Sequence, residues 1–491
     1  MEFISGENRN QTLLLPDSVE DYVDENNAVH VIDAYINSLS LEDLGFVHTA
    51  PCDTGRPPYD PRDLLKLYVY GYMNRVHSSR RLETETRRNL EVIWLLRRLS
   101  PDHKTIARFR HDNPSALKNV FCDFVKLCVG QDLYGRELIA IDGSKFKAVN
   151  SKDRNFSKKK LQDRIARIDT QVEEYLSELE STDCRENAVA GEKSANEIKR
   201  IVSELSERKK KYQSYTEELE RTGETQKSLT DCDSRLMPSN GKMDVCYNVQ
   251  TAVDAKHKLI VEFEVTNNAN DINQITPMAL SAEEILGTDT ITAVTDAGYD
   301  SAKDIAEATS QGIEVHVAGT DYDICIPSDD GDKNEITSHR NGRCVYNEKR
   351  NIVLCPMGKV LYPGFYKKGK GLGVFFNSKA CRECTCRCTK EARSFRCQVP
   401  MGEDDFSKEY NDKGLLVKQR WIKADTAIIK KRKSIAEHPF GTVKRAMEAG
   451  YCLTRGFRGV GGEFSLVFLA YNIKRAINIL GARKLIESMA I

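Results

Sequence analysis

Three carboxylates in this chain have the residue type and setting for metal chemistry. In LIAIDGS, Asp142 follows a short apolar run and Gly143 breaks it, the pattern of a buried strand entering a turn. In ITAVTDAGYD, Asp296 ends a second apolar run, and in IAEHPFGTVKR, Glu437 falls on an expected helix. An acid at the end of a buried strand is costly unless a cation meets it. Taken singly, each reads as a turn aspartate or a surface glutamate. Brought together, they form a cage for two hard cations, Mg²⁺ or Mn²⁺. Two such ions about 3.5–4 Å apart activate an oxygen nucleophile and stabilise a leaving oxygen, as phosphodiester cleavage and strand transfer require. In that cage Asp142 would bridge both ions, Asp296 would hold one and Glu437 the other. Lys444 lies about two helical turns beyond Glu437 and is expected on nearly the same face, where it would grip a phosphate.

The elements that must position these acids fall into two regions. Residues 1–135 read as all-helical, and residues 136–491 as a mixed α/β sheet with two insertions. Within the first, SSRRLETETRRNLEVIWLLRRLSPDHKTIARFRHDN gives two helical segments broken at Ser100-Pro101. The second segment carries Lys104, Arg108 and Arg110. Helix, break and basic helix suit a DNA major groove, although a helical bundle with a solvated basic face has the same signature. After Asp142 come Lys145, Lys147, Lys152, Arg154 and Lys158 to Lys160, a basic stretch suited to a polyanion. Residues 155–230 then read as an antiparallel helical hairpin. Leu161, Ile165, Ile168, Val172, Tyr175 and Leu179 keep a heptad spacing, as do Ile198, Ile201, Leu205, Arg208, Tyr212, Tyr215 and Leu219 on the return arm. VCYNVQTAVDA and KLIVEFEVT read as strands joined by a hairpin turn, followed by a helix over Ile272 to Leu286 and the strand ITAVTD.

Residues 320–420, rich in Asp, Gly, Lys and Cys, read as an irregular insertion. Cys381-x2-Cys384 is half of a zinc knuckle, which Cys355 or Cys388 could complete. At 491 residues with fifteen cysteines, the chain is too large for a small disulfide scaffold, so reduced thiols are expected. Lys+Arg and Asp+Glu both number 73, so any nucleic-acid contact must come from local basic patches. No basic leader with a long apolar core opens the chain, and no run approaches the ~18 apolar residues of a membrane helix. A cytoplasmic, nucleoid-associated protein without a membrane partner is expected.

Taken together, LIAIDGSKFKAVNS, VTDAGYDS, EHPFGTVKR, LTRGFRG and GGEFSLVFLAYNIKR resemble a bacterial insertion-sequence DDE transposase. The branch in question has a helical N-terminal domain and a late cysteine-bearing insertion. The resemblance extends over nearly the whole chain and includes YDPRDLLKLYVYGYMNRVHSSRRLE. It implies a ribonuclease H-like catalytic core, metal-dependent DNA cleavage and strand transfer, and an acidic triad at Asp142, Asp296 and Glu437. It implies that terminal inverted repeats and target DNA are the partners, held by a homodimer on DNA. Around the third acid the related pattern places Lys433 and Lys430 where an Arg and a Tyr are usual, with Arg432 one position from the Arg site. The same resemblance selects Cys355, Cys381, Cys384 and Cys388 as ligands of a structural Zn²⁺. A nuclease that cuts without joining, and a DNA-binding protein that keeps the architecture without catalysis, are the competing readings.

Overall fold

The computed structural model describes residues 18–49, 57–183, 195–239, 241–299, 301, 304–305, 307–308, 311–318, 325–327, 345–347, 351–355, 359–382, 384, 396–407, 419–421 and 426–489. Among these, six α-helices precede the first long strand: α1 (Ala28–Ser38), α2 (Pro61–Met73), α3 (Ser79–Arg88), α4 (Leu90–Leu95), α5 (His103–Asp112) and α6 (Pro114–Gly130). Their starts are set by side chains. Asn27, Asp60, Asn89 and Asp102 each accept a backbone N–H of the first helical turn, and Pro61 occupies the first position of α2. The cap at Asn89 divides in two what the sequence suggested was one helix before Ser100.

The central sheet runs β4 (Arg235–Ser239), β5 (Lys242–Asp254), β1 (Leu138–Lys147), β7 (Thr292–Thr295) and β8 (Glu314–Val317), with β6 (Ile260–Thr266) also paired to β5. β1, β5 and β6 form an antiparallel meander, while β7 and β8 lie parallel to β1. Helix α9 (Ile275–Leu286) links β6 to β7. It starts three residues later than expected from sequence. The Asp304 carboxylate, from beyond β7, accepts from Ile275 N–H and Thr276 N–H at 2.9 and 3.1 Å and caps it there. Helix α10 (Thr426–Gly441) packs Ile435, Ala436 and Phe440 toward the sheet, and α11 (Gly456–Leu480) and α12 (Ala482–Glu487) come after it.

A single hydrophobic cluster extends from Val23 to Leu485. Its bridge is α11, buried almost all round, which packs on α2 and α6 and against β6. Asn472 on α11 pairs with both backbone groups of Ile260, at 3.0 and 2.8 Å. The N-terminal helices therefore share a core with the sheet, and the expected boundary near residue 135 marks a change of secondary structure rather than a gap in packing. No helix among the described residues is long and apolar enough to cross a membrane.

The two insertions have small cores of their own. A ribbon of β2 (Asn155–Ser157) and β3 (Gln226–Ser228) closes the foot of α7 (Lys158–Asp183) and α8 (Ala195–Thr222). The arms run antiparallel, with Arg164 bonded to Tyr212 and Lys209 to Asp169. Leu161, Leu219 and Phe156 pack together at that foot. Arg208, expected in the apolar seam, is exposed. The late insertion is more regular than its composition suggested. A five-stranded antiparallel sheet runs in chain order through β9 (Val345–Asn347), β10 (Ile352–Leu354), β11 (Val360–Lys367), β12 (Leu372–Phe376) and β13 (Arg396–Pro400). Its many Gly and Lys residues sit among short alternating strands, so composition concealed the period.

Candidate active site

Parallel pairing fixes the first two acids. Ala140 on β1 is level with Val294 on β7, so Asp142 and Asp296, each two residues further, stand side by side where β7 has ended. On its other flank β1 stays paired, with Asp142 opposite Thr251 of β5. Asp142 accepts from Gly143 N–H at 2.9 Å and lies 3.7 Å from an Arg432 guanidinium nitrogen on α10. Its side chain is only 17 % exposed. Burial, then the Asp296 charge, push its pKa up to about 6, against the opposing pull of Arg432. Asp296 accepts from Gly298 N–H at 2.8 Å, which closes a tight turn.

Glu437 does not join them. It is exposed and lines a surface cavity with Lys430, Lys433, Ser434 and His438. The side of α10 that meets Asp142 carries Arg432. Among the described residues, no three His, Cys, Asp or Glu side chains are close enough to share one ion. The expected common face of Glu437 and Lys444 is also lost. Pro439 lies inside α10, and a π-helical turn at Thr442–Ala446 shifts the phase of the residues within and beyond it. Lys444 consequently points to β1, donating to Ser144 Oγ at 2.7 Å and to the Lys145 carbonyl at 2.8 Å over the Phe146 ring. Burial lowers its pKa.

The other singled-out residues divide clearly. Lys104 and Arg108 are exposed on α5, with Arg108 paired to Asp112 at 3.2 Å. Arg110, expected to face a DNA groove, is instead buried and donates to Tyr72 Oη at 2.8 Å. With Ile106 and Phe109 it forms the packed side of α5 and cannot reach a groove from there. Lys433 is exposed, whereas Lys145 is largely covered and pairs with Asp271 at 3.2 Å. Cys355 is buried in the small-sheet core with Cys397, and Cys381 packs against that core. Cys355 Sγ accepts from Lys359 N–H at 3.3 Å. Cys384 is half-buried, and Cys388 lies outside the described residues.

Sequence reasoning passed over a polar group beneath the aspartates. Asn248 and Gln250, buried on β5, both donate to Asp271 Oδ1 at 2.7 Å, and Tyr299 donates to Gln250 Oε1. The signal was present: two amides in the otherwise apolar run VCYNVQTAV, and the polar run NNAND after the next strand.

The family models match two segments, a Transposase domain (DUF772) over residues 17–112 and a Transposase DDE domain over residues 224–473. The second takes in just over half of the chain. The chain belongs to the DDE transposases. Asp296 and Glu437 fall inside the matched segment of this transposase, and Asp142 precedes it. No curated protein matches the sequence. Among solved structures, the chain aligns with "Cryo-EM structure of piggyBac transposase synaptic complex with hairpin DNA (SNHP)" at 7% identity. That alignment covers 94% of this chain and 79% of the other, with a TM-score of 0.30.

Proposed function

We propose that this DNA transposase cleaves the ends of its own mobile element and joins them to target DNA, using Asp142, Asp296 and Glu437 with Mg²⁺ or Mn²⁺. One observation carries the reading. Two carboxylates stand side by side, one on β1 and one just past the end of the parallel β7, and burial and then the neighbouring charge push the first toward protonation. That donor set fits a divalent cation: two hard oxygens and crowded like charges, which the Arg432 guanidinium 3.7 Å from Asp142 only partly offsets. When bound, the ions supply Lewis-acid stabilisation of the attacking and leaving oxygens. Asp142 and Asp296 would hold them, and Glu437 would complete the set once α10 presents that face to the site. Lys444 fixes the β1 backbone just beyond Asp142, which keeps this carboxylate at the end of β7.

An antiparallel meander followed by two parallel strands is the topology a ribonuclease H-like core requires, and it supports that assignment. Lys104 and Arg108 are the groups on α5 exposed to recognise terminal repeats, while Lys158 to Lys160 and Lys433 would hold DNA backbone without sequence preference. Two ends handled at once imply a homodimer on DNA, in the nucleoid. Zn²⁺ on Cys355, Cys381, Cys384 and Cys388 is consistent with the N–H···S contact at Cys355.

The test is a paired assay on duplexes bearing the inverted repeats that flank the gene. Wild-type protein should nick them with Mg²⁺ and join the ends to a second duplex, and Asp296→Ala should do neither. Nicking without joining would favour a nuclease, and intact activity in Asp296→Ala would remove the pair from the site.

A further inference from the structure

Asp271 lies in the turn between β6 and α9, outside the acidic triad, yet it is built into the same centre. Side chains alternate along β1, so Asp142 and Ser144 share the face met by α10, and Gly143 and Lys145 share the other. Asp271 comes up on that second face. Its Oδ1 is saturated, accepting from Lys145 Nζ at 3.2 Å and from Asn248 and Gln250 at 2.7 Å each. Its Oδ2 accepts no hydrogen bond among the described residues. The approach depends on a missing side chain: a Cβ at Gly143 would stand 2.6 Å from Asp271 Oδ1 and 2.4 Å from Gln250 Nε2.

Oδ2 points toward the gap left where β7 stops. A Cβ placed at Gly298 would sit 3.4 Å from Asp271 Oδ2 and 3.0 Å from Asp296 Oδ1, so the two carboxylates converge on one small space. The fully buried Asn248 Oδ1 has no hydrogen-bond partner among the described residues and lies 3.0 Å from where a Gly143 Cβ would be. Burial raises the pKa of both Asp142 and Tyr299, and the Asp271 charge adds to each shift. The centre thus has three aspartates: Asp142 from one face of the sheet, Asp296 from a strand end and Asp271 from the opposite face. They are too far apart to share one ion directly. Mg²⁺ dehydrates reluctantly and keeps several waters, so a carboxylate one water away still binds it.

We propose that Asp271 is a positioning carboxylate of the metal centre: held by Lys145, Asn248 and Gln250, it offers Oδ2 to water of the hydrated cation on Asp142 and Asp296. This rests on the metal reading above. Its test is Mn²⁺ and Mg²⁺ titration calorimetry on full-length, DNA-free protein, with the thermal midpoint measured alongside. Asp271→Asn keeps Oδ1 as an acceptor and turns Oδ2 into a donor. It should weaken cation affinity about tenfold, the effect of losing a supporting group around a metal. Affinity within twofold of wild type would overturn the proposal. If Asp142→Asn and Asp296→Asn also left cation binding unchanged, the metal reading itself would be what failed. If Asp271→Asn does not fold, Gly298→Ala decides the matter. Its methyl enters the space between the two carboxylates and should cost a similar factor, and unchanged affinity there is equally fatal.

Discussion

Asp142 rides on β1 and Asp296 directly follows the end of its parallel neighbour β7, whereas Glu437 rides on a helix laid across them. A strand's side-chain direction is set by ladder hydrogen bonds on both edges and a period of two, so pairing Ala140 with Val294 places both aspartates together. A helix side chain depends on rotation about an axis, and any break in the repeat resets it. Pro439 and the π turn at Thr442–Ala446 are such breaks, and they put Lys444 on β1 while Glu437 faces outward. In the chain alone the two aspartates stand together and Glu437 stands apart from them.

The largest expected effect tests whether all three acids serve one reaction. Asp142→Ala, Asp296→Ala and Glu437→Ala should each reduce Mg²⁺-dependent cleavage by on the order of a thousandfold, about 4 kcal/mol of barrier. A Glu437→Ala protein that still cut at near-normal rate would confine the chemistry to the strands. Cation binding without DNA then separates the two carriers. Asp142→Asn should abolish Mn²⁺ binding in calorimetry, while Glu437→Ala should bind as wild type does. Equal losses in both would mean that the outward position of Glu437 is not the one populated in solution.

Stability gives the next sharpest contrast. Asp142 has a folded pKa of about 6 against an ordinary 3.8, so the folded state holds the extra proton between those values. Its contribution is complete below about pH 4 and is lost as pH rises through 6, leaving the metal-free protein strained at pH 7. Asp142→Asn should therefore stabilise the metal-free protein at pH 7, by up to roughly 3 kcal/mol, and the gain should vanish near pH 4. A lower melting midpoint at pH 7 would contradict this. Lys444→Met, which removes two charged hydrogen bonds to β1, should cost about 1.5–3 kcal/mol in urea unfolding. No loss would show that the π turn does not anchor the strand.

The smallest effects concern α5, where one helix has two unlike faces. Arg110→Gln should destabilise by about 1–3 kcal/mol, because it leaves the buried Tyr72 hydroxyl without its partner. Arg108→Glu should change stability by no more than ~0.5 kcal/mol yet reduce the preference for terminal-repeat over random DNA in full-length protein at two salt concentrations. If Arg108→Glu left that preference intact, end recognition would lie elsewhere than this helix.

Local chemistry was legible in the sequence wherever one element decided it. The apolar run ending in Thr-Asp marked the end of β7, the break at Ser100-Pro101 marked the start of α5, and the heptads marked the paired arms of α7 and α8. Gly143 read as the end of a strand, whereas β1 continues to Lys147 and the glycine serves to admit Asp271. Arg110 looked like its basic neighbours because charge alone does not tell which face of a short helix is packed. What the tertiary structure alone decided were relations across chain distance: α11 joining the N-terminal helices to the sheet, Lys444 meeting Ser144, and Asp271 meeting the aspartate pair. These depend on which faces are covered and on side chains hundreds of residues apart being brought within hydrogen-bond reach, and neither is encoded in the period of any one segment.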